Sequence, residues 1–255
     1  MPAADLPRVL WIVRHGQSAG NVASETAEAQ GLQTIDIATR DIDVPLSDLG
    51  RRQAQSLGRW FGQMQAGDQP EVVLCSPYMR AHDTALLLLE AGKIALDPQL
   101  RLDERLREKE FGILDRLTHF GIRQQYPLLY EQRRQVGKFY FRPPGGESWC
   151  DVILRLRSLL EMVTREYAGK RVLVIAHQVI VNCLRYLVEQ MDEKQILTID
   201  RQGAVPNCGV TAYTVGSGAS GDRALKPALV NFVAPLEQEG TQVTTASDVA
   251  TSPEP

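Results

Sequence analysis

Two imidazoles and two guanidiniums follow directly on three short apolar runs: Arg14-His15-Gly16, Ser76-Pro77-Tyr78-Met79-Arg80 and Ala176-His177-Gln178. Arginine offers planar, paired donors that match phosphate oxygens. A neutral imidazole supplies a nucleophilic nitrogen once its other nitrogen is held by an acceptor. Gathered at one place, Arg14, His15, Arg80 and His177 would form an oxyanion clamp. Positioning and charge stabilisation of that kind dominate the catalysis of phosphoryl transfer. One histidine at a strand end reads as a cap on the fold, but two of the chain's four histidines beside two arginines point to chemistry.

Those residues need a scaffold that brings distant positions together. Residues 9–13, 72–75 and 172–176 are continuous, β-branched and apolar, as strands covered on both faces are. Residues 209–215 read as a further strand, and 227–234 as an edge strand because of Pro227. Helical spacing starts near Ser47, with Leu49, Ala54, Leu57, Phe61 and Met64 on one face. It starts again at Ser148, an N-cap with Asp151 three residues on, followed by Trp149, Val152, Ile153, Leu156, Leu159, Leu160 and Val163. A third helix follows His177, with Val179, Ile180, Cys183, Leu184, Leu187 and Val188 on one side. Strands alternating with helices predict an α/β fold: a three-layer α/β/α sandwich around a mostly parallel sheet. The carboxyl ends of parallel strands share one edge, where ligands bind in open α/β folds. Arg14, His15, Arg80 and His177 therefore converge. Pro77 suits the first helical position after a Ser76 cap, which puts Arg80 in a first turn favourable to anions.

At 255 residues the chain fits one domain, taken as 1–236, with no linker dividing it and no internal repeat. Residues 20–44 and 112–147 read as excursions that form the substrate pocket. Residues 237–255 are rich in Thr, Ser, Gln, Glu and Pro, and are expected to be disordered. Lys and Arg total 28 against 31 Asp and Glu, a net charge of −3, which leaves no electrostatic footprint for nucleic acid or an anionic membrane. Cys75, Cys150, Cys183 and Cys208 lack paired spacing and read as buried thiols. The first apolar run is too short for a signal peptide or membrane span, so a cytoplasmic location is expected. No surface pattern marks an oligomer interface.

Arg14-His15-Gly16-Gln17-Ser18 followed by Asn21 resembles the R-H-G-[EQ]-[ST]-x-x-N signature of the histidine phosphatase superfamily, in the branch that includes cofactor-dependent phosphoglycerate mutases. Further blocks follow in family order. Pro45-Leu46-Ser47 with Gly50 and Gln53-Ala54 is one, and Cys75-Ser76-Pro77 with Arg80-Ala81 and Thr84-Ala85 is the next. Then come Leu106-Arg107-Glu108 leading to Phe111-Gly112, Gly146-Glu147-Ser148 and Ala176-His177. The likeness spans about residues 8 to 215. It implies that His15 is the nucleophile, forming a phosphohistidine, and that Arg14, Arg80 and His177 hold the phosphoryl group with Asn21 nearby. It further implies that Glu108 protonates the leaving oxygen and then activates water. Glu110 is a neighbouring alternative acid, but the spacing to Gly112 favours Glu108. His82 is read as a helix-surface residue and His119 as a pocket-rim residue. The resemblance requires neither metal nor cofactor, and the sequence has no compact metal-ligand cluster.

Subgroup features favour a phosphatase. The mutases carry a longer aromatic and basic stretch after the acid, of which this chain keeps Arg142-Pro143-Pro144. Ala176-His177-Gln178, Gln125-Tyr126-Pro127, Arg133, Arg134 and Lys138 resemble fructose-2,6-bisphosphatase, and Gln178, Arg133, Arg134 and Lys138 are carried over as substrate-binding residues; Arg133, Arg134 and Lys138 read equally well as a solvated helix face. Asn182 stands where that enzyme has a sugar-phosphate-binding arginine. The expected partner is a small phosphate ester, with a sugar phosphate among the candidates. Mutase activity, or a silent phosphate-ester-binding protein, are the alternatives; intact His15 and Glu108 argue against the last.

Overall fold

Apolar runs of four to six residues cannot form stable helices and instead pair edge to edge, which builds the centre of this protein. The computed structural model describes residues 6–95, 100–217 and 223–246. Its strands are β1 (Val9–Arg14), β2 (Val72–Cys75), β3 (Arg101–Leu102), β4 (Arg171–Ala176), β5 (Val210–Ser217) and β6 (Arg223–Phe232). They form one six-stranded sheet in the order β3-β2-β4-β1-β5-β6. β1, β2, β3 and β4 run parallel, with Arg14 opposite Ala176 and Cys75 opposite Ile175, so three strand ends share one edge. β5 and β6 are antiparallel additions, and Pro227 lies on the edge strand β6.

Alternate strand residues face opposite helix layers. Leu10, Ile12, Val172 and Val174 pack against α6 (Trp149–Glu166) and α7 (Gln178–Val188) through Leu156 and Ile180. Trp11, Val13, Leu173 and Ile175 pack against α2 (Asp48–Gly62) and α3 (Met79–Gly92) through Leu57, Phe61 and Leu88. The fold is therefore the expected α/β sandwich. No helix among the described residues is long and apolar enough to cross a membrane.

Three local expectations are corrected. The helix carrying Arg80 begins at Met79 with Tyr78 as N-cap, not at Ser76-Pro77. The Ser76 hydroxyl instead accepts from the Tyr78 amide at 3.3 Å and meets His177 at 2.8 Å, while Arg80 stays in the first turn. The excursion 20–44 is partly helical. α1 (Ala19–Ala29) is nucleated by a capping box in which Ser18 and Asn21 bond reciprocally. Its buried face is only Gly20, Asn21, Ser24 and Ala27, so no apolar period announces it. The other excursion holds α4 (His119–Gln125), capped by Thr118, and α5 (Pro127–Val136), opened by Pro127.

The third correction concerns the chain's end. Residues 237–246 are ordered; the rest of the stretch expected to be disordered lies outside the described residues. After α9 (Ala234–Gln238), the chain runs along α2. The Thr241 and Ser56 hydroxyls lie 2.8 Å apart, and Gln53 Nε2 donates to Gln242 O and Thr244 Oγ1, both at 2.9 Å. Asn207 N donates to Thr244 O at 2.9 Å. Polar and backbone bonds, together with Val243 packed against the apolar core, order this segment, which is why its composition misled.

Two contacts lock the loops that carry the chemistry. α2 abuts the loop after His15 backbone to backbone: a Cβ on Gly50 would lie 1.9 Å from Gln17 O, and one on Gly16 2.5 Å from Gly50 O. Behind the Glu108 loop, Glu147 accepts from Arg155 Nε and Nη2 (3.0 Å each), Arg107 Nη2 (2.8 Å) and Glu110 N (3.1 Å). Arg155 Nη2 also reaches Glu108 O at 3.3 Å. Burial alone would push the Glu147 carboxyl up, but Arg155, the Glu110 amide and Arg107 together hold it below the usual carboxylate range.

Gly50→Ala is expected to lower unfolding stability by about 2 kcal/mol in urea titrations, since the backbone must separate to admit a methyl group. Glu147→Gln is expected to cost about 3 kcal/mol at neutral pH by leaving Arg155 half-paired. A carboxyl with a depressed folded pKa stabilises fully above its unfolded value and loses that contribution as pH falls through the folded one. The gap between wild type and Glu147→Gln should therefore hold above about pH 5 and shrink below about pH 4, read by melts across that range.

Candidate active site

His15 is the first residue past β1, and pairing on both sides of that strand fixes it. Its amide donates to Ala176 O of β4 at 2.9 Å, while Cys208 N donates to Arg14 O at 3.0 Å and Asn207 Nδ2 to His15 O at 3.0 Å. The ring is fully buried. Nδ1 lies 2.7 Å from Gly16 O, and a carbonyl can only accept, so Nδ1 carries the hydrogen. Nε2 then keeps its lone pair and accepts from Arg80 Nε at 3.3 Å. The acceptor that the sequence could not reveal is thus the next residue's own carbonyl.

His177, past β4, caps α7, and its Nε2 lies 2.8 Å from Ser76 Oγ. Its ring centroid is 5.1 Å from that of His15 and 5.1 Å from that of Tyr78. Arg80 is buried, with its guanidinium carbon 5.0 Å from the Tyr78 ring centroid. Nη1 donates to Asp41 O (2.7 Å) and Oδ1 (2.9 Å), and Nη2 to Asp41 Oδ2 (3.2 Å). Arg14 is fully buried; Nη1 donates to Val205 O at 2.6 Å and Nη2 to Ala246 O at 2.5 Å. Asn21, also buried, donates from Nδ2 to Ala246 O at 3.2 Å. Three strand ends and α1 therefore bring Arg14, His15, Asn21, Arg80 and His177 into one cluster.

The two carboxylates of the acid loop differ in environment. Glu108 is buried and accepts from the Lys109 amide at 2.7 Å. The Glu110 side chain is 48% exposed and accepts from Tyr78 OH at 3.1 Å. Of the two, Glu108 is the one withdrawn from water. Lys109 is also buried, and burial, with Arg133 nearby, draws its ammonium down to about 8.

The specificity residues separate. Gln178 is buried as the first residue of α7, beside the clamp. Arg133 and Lys138 line a cleft together with Lys109 and Val179. Arg134 does not join them: it points along exposed α5 and pairs with Glu131 at 3.0 Å, because successive helical residues diverge by about 100°. Asn182 contacts Asp200 at 3.4 Å, and the same carboxylate pairs with Lys138. His119 opens α4; burial, then Arg133 and Lys138, draw its imidazole down to about 3. His82 is partly covered on α3, apart from the cluster. Asp41, Tyr78, Lys109 and Asn207 escaped the sequence reading. Only Lys109 carried a signal, its place next to Glu108; nothing in the polar stretch before Pro45 distinguishes Asp41.

A lone-pair imidazole beside two guanidiniums and a second imidazole can attack phosphorus and spread the charge of a phosphoryl group. Comparison with known proteins agrees. The sequence profile of the histidine phosphatase superfamily (branch 1) matches residues 10–221. The chain is 31% identical over 206 residues to a 2,3-bisphosphoglycerate-dependent phosphoglycerate mutase of Methylorubrum populi, covering 79% of this chain and 88% of that one. It is 29% identical over 181 residues to the 6-phosphofructo-2-kinase/fructose-2,6-bisphosphatase of Caenorhabditis elegans, covering 70% of this chain but only 34% of that protein. Among solved structures, a mycobacterial glucosyl-3-phosphoglycerate phosphatase in complex with inorganic phosphate superposes with a TM-score of 0.66 at 26% identity, over 89% of this chain and 99% of that one. Profile, relatives and fold agree that the chain belongs to branch 1 of the histidine phosphatase superfamily.

Proposed function

We propose that this protein is a phosphomonoesterase that works through a phosphohistidine on His15 and releases the phosphate of a small phosphorylated metabolite, with sugar phosphates among the candidates. The observation that carries the reading is the His15 tautomer: Nδ1 is tied to Gly16 O, and the Nε2 lone pair faces Arg80. In the first step His15 Nε2 bonds to phosphorus, the ester P–O bond breaks, and Glu108 passes its proton to the leaving oxygen. In the second, Glu108 takes a proton from water, the resulting hydroxide attacks phosphorus, and the P–N bond breaks to restore neutral His15. Arg14, Arg80, Asn21 and His177 hold the phosphoryl oxygens through both steps, and Gln178 borders the leaving group. No step requires a metal ion.

The mutase relatives supply a second reading, in which the phosphoryl group returns to a phosphoglycerate rather than to water. The similarity to a mutase over most of both chains favours keeping it. Interconversion of phosphoglycerates in the presence of a bisphosphorylated primer would establish that reading; robust phosphate release without interconversion removes it.

Purified protein should hydrolyse p-nitrophenyl phosphate in EDTA, and His15→Ala should lower kcat by about 10⁴-fold or more. Activity that survives His15→Ala would overturn the mechanism. Glu108→Gln should lower kcat/KM on an alkyl phosphate by about 10³-fold and on p-nitrophenyl phosphate by far less, because nitrophenolate leaves without a proton. Equal losses on the two substrates would remove Glu108 from the role of acid.

A further inference from the structure

Arg80 already has a counter-ion. Both of its terminal nitrogens reach one residue: Nη1 donates to Asp41 O at 2.7 Å and to Oδ1 at 2.9 Å, and Nη2 donates to Oδ2 at 3.2 Å. A planar guanidinium carries donors along an end edge, Nη1 with Nη2, and along a side edge, Nε with Nη2. With the end edge on Asp41, the side edge turns to His15, whose Nε2 accepts from Nε at 3.3 Å. The orientation of this buried fork is thus set by a carboxylate that is itself 37% exposed.

That carboxylate sits at the end of a fixed strap. Asp41 opens a single 3-10 turn, Asp41–Asp43. Arg116 clasps the residues before it: Nη1 donates to Ile37 O at 3.0 Å and Nη2 to Thr39 O at 2.8 Å, while Arg116 O accepts from Ile35 N at 2.8 Å. Buried Ile35 and Val44 anchor the two ends. Arg116 itself has a φ of +59°, in the left-handed region that favours glycine, and such a backbone persists only where its surroundings enforce it. Asp41 is therefore held against Arg80 by contacts that do not involve the clamp.

A phosphoryl dianion at the side edge has to share Arg80 with Asp41. Repulsion between the two anions across one guanidinium, partly screened by solvent, is worth about tenfold in affinity. Rate is gained from contacts that are stronger in the transition state than in the bound ground state, so a clamp that grips a free dianion less tightly loses nothing in turnover. We propose that Asp41 is the positioning residue and resident counter-ion of the clamp, turning the side edge of Arg80 toward His15 and lowering the affinity of the site for phosphate so that product leaves. The inference rests on the phosphatase reading for turnover, and on the clamp alone for binding.

Titration calorimetry with inorganic phosphate reads the role without turnover. Asp41→Asn, which keeps the shape and removes the charge, should bind phosphate about tenfold more tightly than wild type. Inhibition of p-nitrophenyl phosphate hydrolysis by phosphate should strengthen by the same factor, while kcat falls. Asp41→Glu, which keeps the charge, should stay within about threefold of wild type. Loss of a merely supporting residue would weaken phosphate binding instead. Arg116→Met leaves Asp41 and Arg80 intact and decides the matter where Asp41→Asn does not fold. Removing that cation on charge alone would weaken an anion, yet release of the strap should tighten phosphate binding about threefold. Phosphate binding by Asp41→Asn that is equal to wild type or weaker, or matched by Asp41→Glu, with p-nitrophenyl phosphate still hydrolysed by wild type, overturns the role of Asp41 and keeps the phosphatase. Tighter binding by Asp41→Asn, with no ester hydrolysed by wild type, keeps the role and overturns the phosphatase reading.

Discussion

The bond from His15 Nδ1 to the carbonyl of Gly16 is the constraint on which the rest of this site depends. An imidazole attacks through one nitrogen only if the other keeps the proton, and a carbonyl one residue away enforces that choice without using another side chain. The bond demands a particular turn after β1, and that turn must lie flat against the start of α2. Gly16 and Gly50 are the positions where side chains would prevent the approach. Asn207 and Thr84 hold the same turn from outside, through His15 O and the Gly16 amide at 3.0 Å each. Residues far apart in sequence thus serve a single tautomer.

A second constraint is the burial of two guanidiniums at the same strand ends. Arg14 and Arg80 are almost wholly withdrawn from water, and their Nη donors are met by oxygens of the protein itself. Backbone carbonyls of Val205 and Ala246 serve Arg14, and the carboxylate and carbonyl of Asp41 serve Arg80. Such pairing holds the two forks in position at the strand ends.

Sequence revealed what depends on pattern. β-branched runs, the Ser47 and Ser148 caps and the helical stripes of α2, α6 and α7 are local properties, and they placed Arg14, His15, Arg80 and His177 on a common edge. Spacing singled out Glu108 over Glu110, and the two differ in burial. What stayed hidden depends on contacts without a pattern. Asp41 lies in a polar stretch and gains its meaning only from Arg80. α1 buries small polar residues and so leaves no apolar stripe. The segment 241–246 is held by Gln53, Asn207 and Arg14, none of which a composition can point to. Arg133 and Arg134 are neighbours in sequence, but the turn of α5 sends only Arg133 to the cleft.

If Arg14 and Asn21 hold the phosphoryl group as proposed, the docking of Ala246 on both makes the chain's own backbone a rival of the incoming group. A competitor tethered to its target cannot be diluted away; it enters the affinity as an occupancy. Apparent dissociation constants rise by the reciprocal of the fraction of molecules in which the carbonyl has withdrawn, so a segment docked in about nine molecules of ten weakens phosphate about tenfold. Product phosphate and substrate are weakened alike, which raises the concentration at which the enzyme saturates and spares it from its own product. Saturation would then be set by a stretch that takes no part in bond making, and could be retuned by changing it with every catalytic side chain left intact.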